Sequence, residues 1–441
     1  MDIQEIQEQL NKLEDLEDGG TIDFIDRQIE LHYTRFDLSN KYLVSHSVEY
    51  FSSQLQNHYN LTNRIKVLVL QNCMLSQDSI VRTFKPLIQL KKTLALKSLD
   101  LGNNRIPVNE LTGSILGKLL DRGGKNRAKS LNLQGNLITN PKGLLNILNC
   151  SSPFYELNLY DSCLSCEALL CLSETLAHNR YIQRLDLGYN NDAFANSSIV
   201  RQFAISISLN THLEYLNLSG VSFLRKSEHL VKFLAGLQQN TSLQELSLGG
   251  IGLGDKGIKY LKQLLLGKIP ITSLDIQNNK ISAKGLGYIV ESLPDMLSKL
   301  DLSYNEFKSN SALSSLGKAL ISHRVLRYLN LSYSFEIDSL DNKALICFCR
   351  GIKENGSLTE FICESAKIGD DPDLFCNLLG EAISARRLSL TFKISAVNCF
   401  SSKSSHNSTI NESIRNRSKK TSKKLESQDG STSNTRRDMY T

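Results

Sequence analysis

Three sets of residues in this 441-residue chain have the types and spacing that chemistry needs. Gly252-x-Gly254-x-x-Gly257 carries the glycine spacing with which a strand–helix turn cradles a dinucleotide pyrophosphate. Cys163-x-x-Cys166, with Cys171 nearby, and Cys347-x-Cys349 bring thiols as close as zinc ligands stand. Asp275 and Asp301 head similar strings (LDIQNN and LDLSYN), so they are expected on successive strands about 5 Å apart, a carboxylate pair. Each set lacks its complement. No Gly-x-x-x-x-Gly-Lys-Ser/Thr string occurs, neither cysteine group has a second pair at zinc-site spacing, and the carboxylates have no evident acid/base partner. The eight His are scattered, with no His-Glu-x-x-His and no Gly-x-Ser-x-Gly turn. The cysteines are read as small buried hydrophobes, no cofactor or metal is expected, and the chain is read as non-enzymatic.

What must position these residues is a repeat. LKSLDLGNNRI starts at Leu96, AKSLNLQGNLI at Ala128, ITSLDIQNNKI at Ile271 and LSKLDLSYNEF at Leu297. All fit Leu-x-x-Leu-x-Leu-x-x-Asn/Cys-x-Leu. Looser copies start at Ile65, Phe154, Ile182, Leu213, Leu243, Leu326 and Leu358, a degenerate one at Tyr33, and a last strand is expected at LSLTF after Arg387. Leu is the commonest residue, 73 of 441, because the pattern demands it. Leu99 and Leu101, two apart, point to one side of a strand and Asp100 to the other. Behind them LTGSILGKLL, GIKYLKQLLLG and ALSSLGKALISH space apolar residues by three and four, as one helix face requires. A unit of one strand and one helix cannot bury its apolar face alone, and stacking solves that. The glycine motif falls in the loop of one such unit, which explains it without a cofactor.

The strings resemble the leucine-rich repeat family over residues 33–398, about 11–12 repeats, and the long helical half is similar to the ribonuclease-inhibitor-like subclass. The resemblance implies an α/β solenoid, a horseshoe with a concave parallel sheet and convex helices. It also implies that the Asn at position nine of the motif bonds backbone within its loop. Ser162, Val221, Ile251, Ser334 and Ala366 replace that Asn, Cys73 is the usual alternative, and those loops are expected to be less regular.

Residues 1–32 are read as an acidic N-terminal helix and cap: Ile3, Ile6, Leu10, Leu13 and Leu16 form an apolar stripe ended by Gly19-Gly20. Residues 399–441, Ser-rich and nearly free of apolar side chains, are read as a disordered tail. Its Arg415, Arg417, Lys419, Lys420, Lys423 and Lys424 form a cluster that an import receptor or an anionic surface would recognise, unless it is only solvated. The +6 net charge is a gradient, from ten acids against two bases over 1–31 to nine bases against four acids over 400–441. No run approaches the ~18 apolar residues of a membrane span, so no membrane insertion is expected. The acidic N-terminus is no secretory signal, so reduced thiols and a cytoplasmic setting are expected, a nuclear one if the tail is read.

Function is expected on the strands' outward positions, three, five and seven. Position five is a ladder of Asp, Asn and Ser, which the repeat needs for solvation alone. The tyrosines say more. Tyr155, Tyr160, Tyr189, Tyr215, Tyr304, Tyr328 and Tyr333, seven of the fifteen in the chain, fall on outward positions or in the loop after them. Arg184 and Arg327 are placed at position three beside them. Tyr offers rigid contact area and a hydroxyl, the traits of binding hot spots. The expected function is a protein–protein interaction scaffold that binds a partner protein on its concave face. Two alternatives stand beside it. Ran GTPase-activating proteins share the repeat class, and a GTPase regulator would need a loop Arg or Asn such as Arg105 or Asn104. A bacterial effector acting by binding in a host cytosol would keep the mechanism and change the location.

Overall fold

The computed structural model divides the chain into two compact units, 1–395 and 396–441. It describes residues 20–31, 33–43, 45–57, 64–89, 95–121, 130–149, 155–222, 227–335, 341–364, 378 and 380–381, all in the first unit. The stripe at residues 3–16, the expected strand after Arg387 and the basic tail lie outside them.

Twelve strands, each three residues long, form one sheet in which every strand pairs in parallel with the next in sequence. They are β1 (Arg35–Asp37), β2 (Val67–Val69), β3 (Ser98–Asp100), β4 (Ser130–Asn132), β5 (Glu156–Asn158), β6 (Arg184–Asp186), β7 (Tyr215–Asn217), β8 (Glu245–Ser247), β9 (Ser273–Asp275), β10 (Lys299–Asp301), β11 (Tyr328–Asn330) and β12 (Glu360–Ile362). The register never slips. Phe36, Leu68, Leu99, Leu131, Leu157, Leu185, Leu216, Leu246, Leu274, Leu300, Leu329 and Phe361 are partners in turn, all buried. A one-residue slip would turn this column to solvent, which is why it fixes the pairing.

Helices return the chain after each of β1 to β11: α1 (Ser45–Asn57), α2 (Gln77–Gln89), α3 (Glu110–Asp121), α4 (Pro141–Leu148), α5 (Cys166–Leu176), α6 (Ser197–Leu209), α7 (Ser227–Leu237), α8 (Gly254–Leu265), α9 (Ala283–Val290), α10 (Asn310–Ser322) and α11 (Asn342–Glu354). Side-chain caps start several of them. Ser165 accepts from the Ala168 N–H, and Asp341 accepts from the Ala344 N–H. The described residues thus form the α/β leucine-rich-repeat solenoid that the spacing predicts, with one core running between sheet and helices.

Residues 20–30 are helical, on the far side of the glycine pair from the apolar stripe. Ile25 is buried in the core, Phe24 and Ile29 pack against it, and Tyr50 donates to Asp26 at 2.5 Å. This segment covers the start of the solenoid.

Between strand and helix the turn is more uniform than the sequence suggests. Position eight is left-handed in eleven successive repeats, from Asn40 at φ 61° to Tyr333 at φ 56°. Position nine holds the loop. Asn104 donates to the carbonyls of Leu70, Leu101 and Gly102 and accepts from the N–H groups of Cys73 and Leu75. Asn136, Asn190, Asn279 and Asn305 repeat the pattern. The substituted loops were expected to be less regular; Ala366 lies outside the described residues, and the others keep the same turn. Ser162, Ser334 and Cys73 still donate to a carbonyl of the previous repeat, at Leu133, Leu302 and Leu38. Val221 and Ile251 fill the position as buried apolar side chains.

Candidate functional site

On the outer face of the sheet, over β7 to β10, lies a hollow of about 480 Å³. Its floor is small: Ser247, Gly249, Gly250 and Ser273. Position eight is glycine in two adjacent repeats: Gly220, against which the Tyr189 ring packs, and Gly250, which borders the hollow and adds no side chain to it. Tyr160, Tyr189, Tyr215 and Tyr328 wall it, with Glu245, Asp275, Asp301 and Lys299 supplying charge.

Of the nine residues singled out in the sequence, those four tyrosines therefore come together. Arg184 stands beside them: its guanidinium lies 4.1 Å above the Tyr215 ring and 2.9 Å from Glu245 Oε1. Tyr304 and Tyr333 form a second pair, stacked at 4.8 Å between ring centroids, while Tyr160 and Tyr189 pack at 5.1 Å. Two placements need correction. Arg327 is not at position three: the register pairs Tyr328 with Lys299 and Glu360, which leaves Arg327 one residue before β11 and off the outward row. Tyr155 likewise precedes β5, whose outward residue is Glu156. The residue missed at position three is Lys299, 5.0 Å over the Tyr328 ring. Its signal was the same spacing, counted from Leu297.

Three of the tyrosines occupy a costly position. Tyr189, Tyr304 and Tyr333 sit at φ 59°, 56° and 56°, where other repeats carry Asn, Asp or Gly. A bulky L-residue there costs about 1 kcal/mol or more, and such strain gathers at functional sites.

The electrostatics favour neutral phenols. Burial first, then Asp186, pushes the Tyr215 hydroxyl up to about 12. Burial, then Asp301 and Glu360, does the same to Tyr328, also to about 12. Burial raises Asp186 too, against hydrogen bonds from Asn217 and the Gly188 N–H that lower it. Outward positions from β5 to β12 hold seven carboxylates (Glu156, Asp186, Glu245, Asp275, Asp301, Glu360, Glu364) against two cations (Arg184, Lys299), a local net of −5 on a chain of +6.

The position-five ladder has a structural job. Asp100, Asn132, Asn158, Asp186, Asn217, Asp275, Asp301 and Asn330 each accept from the backbone N–H two residues on, closing the turn. Asp275 and Asp301 are register partners; Oδ1 of each closes its own turn, while Oδ2 accepts from Ser247 Oγ at Asp275 and from the Asn330 amide at Asp301. Asn104, the candidate water-orienting residue, has its amide committed to backbone and is buried, while Arg105 is exposed at φ 56°. Gly252 and Gly254 are left-handed turn residues leading into α8. Among the described residues no group of three or more His, Cys, Asp or Glu is arranged to hold a metal. Cys73 is buried, its thiol pushed up to about 11, and Cys163 is exposed. No helix among the described residues is long and apolar enough to cross a membrane.

A second ladder went unread in the sequence. Asn210 donates to the carbonyls of Leu176 and Asn179 and accepts from the N–H groups of His212 and Leu213. Asn240 and Asn355 do the same, and His323 takes the acceptor role through Nδ1. The signal was an Asn or His three residues before the motif's first Leu.

A family model described as leucine-rich repeat matches residues 239–262 and 269–290. The chain is similar to the protein phosphatase 1 regulatory subunit 37 homolog of Caenorhabditis briggsae, 29% identical over 126 residues, 27% of this chain and 13% of that protein. The Caenorhabditis elegans homolog is 30% identical over 116 residues, 25% and 12% of the two chains, so the match spans about an eighth of either relative. Among solved structures, the leucine-rich repeat-containing protein LegL7 from Legionella pneumophila aligns with 77% of this chain and 95% of its own at a TM-score of 0.46 and 22% identity. A chain of the yeast Rad7–Elc1 complex aligns over 86% and 89% at 0.48 and 17%. With strand, left-handed turn and asparagine-held loop recurring along one unbroken parallel sheet, the chain is a leucine-rich repeat protein.

Proposed function

We propose that the protein is a non-enzymatic scaffold that binds a partner protein on the concave, outer face of its sheet, centred on the hollow over β7 to β10. One observation carries the reading: tyrosines wall the hollow and continue along its rim in left-handed positions that smaller residues fill elsewhere. An aromatic kept at a strained, half-exposed place gains little for the fold, and its contact area suits a partner. Tyr160, Tyr189, Tyr215 and Tyr328 are the central contacts. Arg184, Tyr304 and Tyr333 flank them, and Tyr155 and Arg327 lie at the edge. The phosphatase named in the relatives' descriptions makes protein phosphatase 1 the first partner to try.

The test is affinity capture with wild type, Tyr215→Ala and Tyr328→Ala, each checked for unchanged melting. The account expects either variant to lose a partner that wild type holds, by about 2 kcal/mol or tenfold and more in affinity. Retention of every wild-type partner by both variants would overturn the placement.

A further inference from the structure

We propose that the hollow takes an extended, Lys- or Arg-bearing segment of a partner protein, laid across the strands with its basic side chains between the tyrosine walls. This rests on the reading of that face as the binding surface and names the chemistry of what binds there.

The cavity supplies the place and charge selects the occupant. Carboxylates outnumber cations seven to two on this face, while the whole chain is positive, so the sign is reversed locally. Both cations are already engaged, Arg184 by Tyr215 and Glu245 and Lys299 by the Tyr328 ring. Those contacts also display how these rings receive a cation. No Lys or Arg among the described residues pairs with Asp275, Asp301 or Glu360. Their field falls on the hollow, where it favours a basic group and repels phosphate.

The pattern also repeats. Arg184, Tyr189, Tyr215 and Glu245 occupy β6 to β8, and Lys299, Tyr304, Tyr328 and Glu360 take equivalent register four strands on. Four strand steps span about 19 Å, and an extended chain covers that in about six residues. The glycine and serine floor between the two groups leaves room for backbone. The partner segment should therefore carry basic side chains about six residues apart, one for each aromatic–acid group.

A random peptide library displayed on phage and selected on the full chain tests this. Enriched peptides are synthesised and titrated by fluorescence anisotropy against wild type, an Asp275→Asn/Asp301→Asn double variant and a Tyr215→Ala/Tyr328→Ala double variant. Asn keeps the Oδ1 acceptor that closes each turn and already stands at this position as Asn132, Asn158, Asn217 and Asn330, but it replaces the Oδ2 that accepts from Ser247 Oγ at Asp275 and from the Asn330 amide at Asp301, so the melting of the variant is measured beside wild type. We expect enriched peptides to be basic, to weaken with salt, and to bind the Asn variant about tenfold or more weakly. A neutral or acidic consensus, no enriched peptide, or a basic one indifferent to the Asn substitutions overturns the proposal. If a non-basic peptide still depends on Tyr215 and Tyr328, the scaffold reading stands while this one falls. If selected peptides ignore the tyrosine variant as well, both fall.

Discussion

A tyrosine at φ near 56° is a choice with a cost, because Asn or Gly fits the same turn without strain. Tyr304→Asn removes a ring stacked on Tyr333 and also relieves the backbone, so the two effects offset. Chemical denaturation should find the variant within about 1 kcal/mol of wild type, while partner affinity falls. A loss well beyond that would make the ring structural. Tyr215 and Tyr328 make a second prediction. Their values of about 12 lie above the ordinary 10, so folding favours the neutral phenol. The stability they contribute is complete below pH 10 and is lost as pH rises to about 12. Phenolate absorbance should show a late-titrating class that Tyr215→Phe/Tyr328→Phe shrinks, leaving Tyr50, which its hydrogen bond to Asp26 also pushes up to about 12. At this scale the sequence was legible where spacing alone decides the face. It misplaced Arg327 and Tyr155 because a count begun one residue early puts a side chain on the wrong row. No spacing rule showed that Tyr189 or Tyr304 would be left-handed, since only comparison with Asn40, Asn103 and Gly135 at the same position reveals it.

The element that repeats is strand, turn and helix, and neighbouring helices touch by backbone where glycines allow it. A Cβ on Gly351 would run into the Gly317 carbonyl, and one on Gly317 would stand 2.6 Å from the Cys347 carbonyl oxygen. Gly351→Ala should therefore push α10 from α11 and cost about 2 kcal/mol or more. Gly287, inside α9 with nothing within 4 Å of an added Cβ, is the control: Gly287→Ala should stabilise by about 0.5–1 kcal/mol. Urea unfolding of the two variants decides it, and equal effects would refute the close contact. Helix positions were readable from apolar spacing, as at ALSSLGKALISH, which lies within α10 but for its last residue, the C-cap His323. Loop regularity was not, because Ser162 and Ser334 reach the same carbonyls that Asn would and Val221 fills its place by packing. The Asn210, Asn240 and Asn355 ladder escaped because it lies outside the leucine motif, in the turn before it.

Across the molecule, one short motif repeated in register makes a sheet whose outer face no helix among the described residues covers, and sequence places on it a tyrosine-walled, acidic hollow. The architecture follows from periodicity, since each unit must stack to bury its leucines. The hollow does not, because it depends on which of twelve equivalent rows carry Gly and Ser and which carry Tyr. The partner is expected on this face. Site-specific photo-crosslinking tests it most directly, with a photoreactive amino acid in place of Tyr304 at the rim or of Lys259, exposed on α8. The account predicts a partner adduct from position 304 and none from position 259; crosslinks from the helix alone would contradict it.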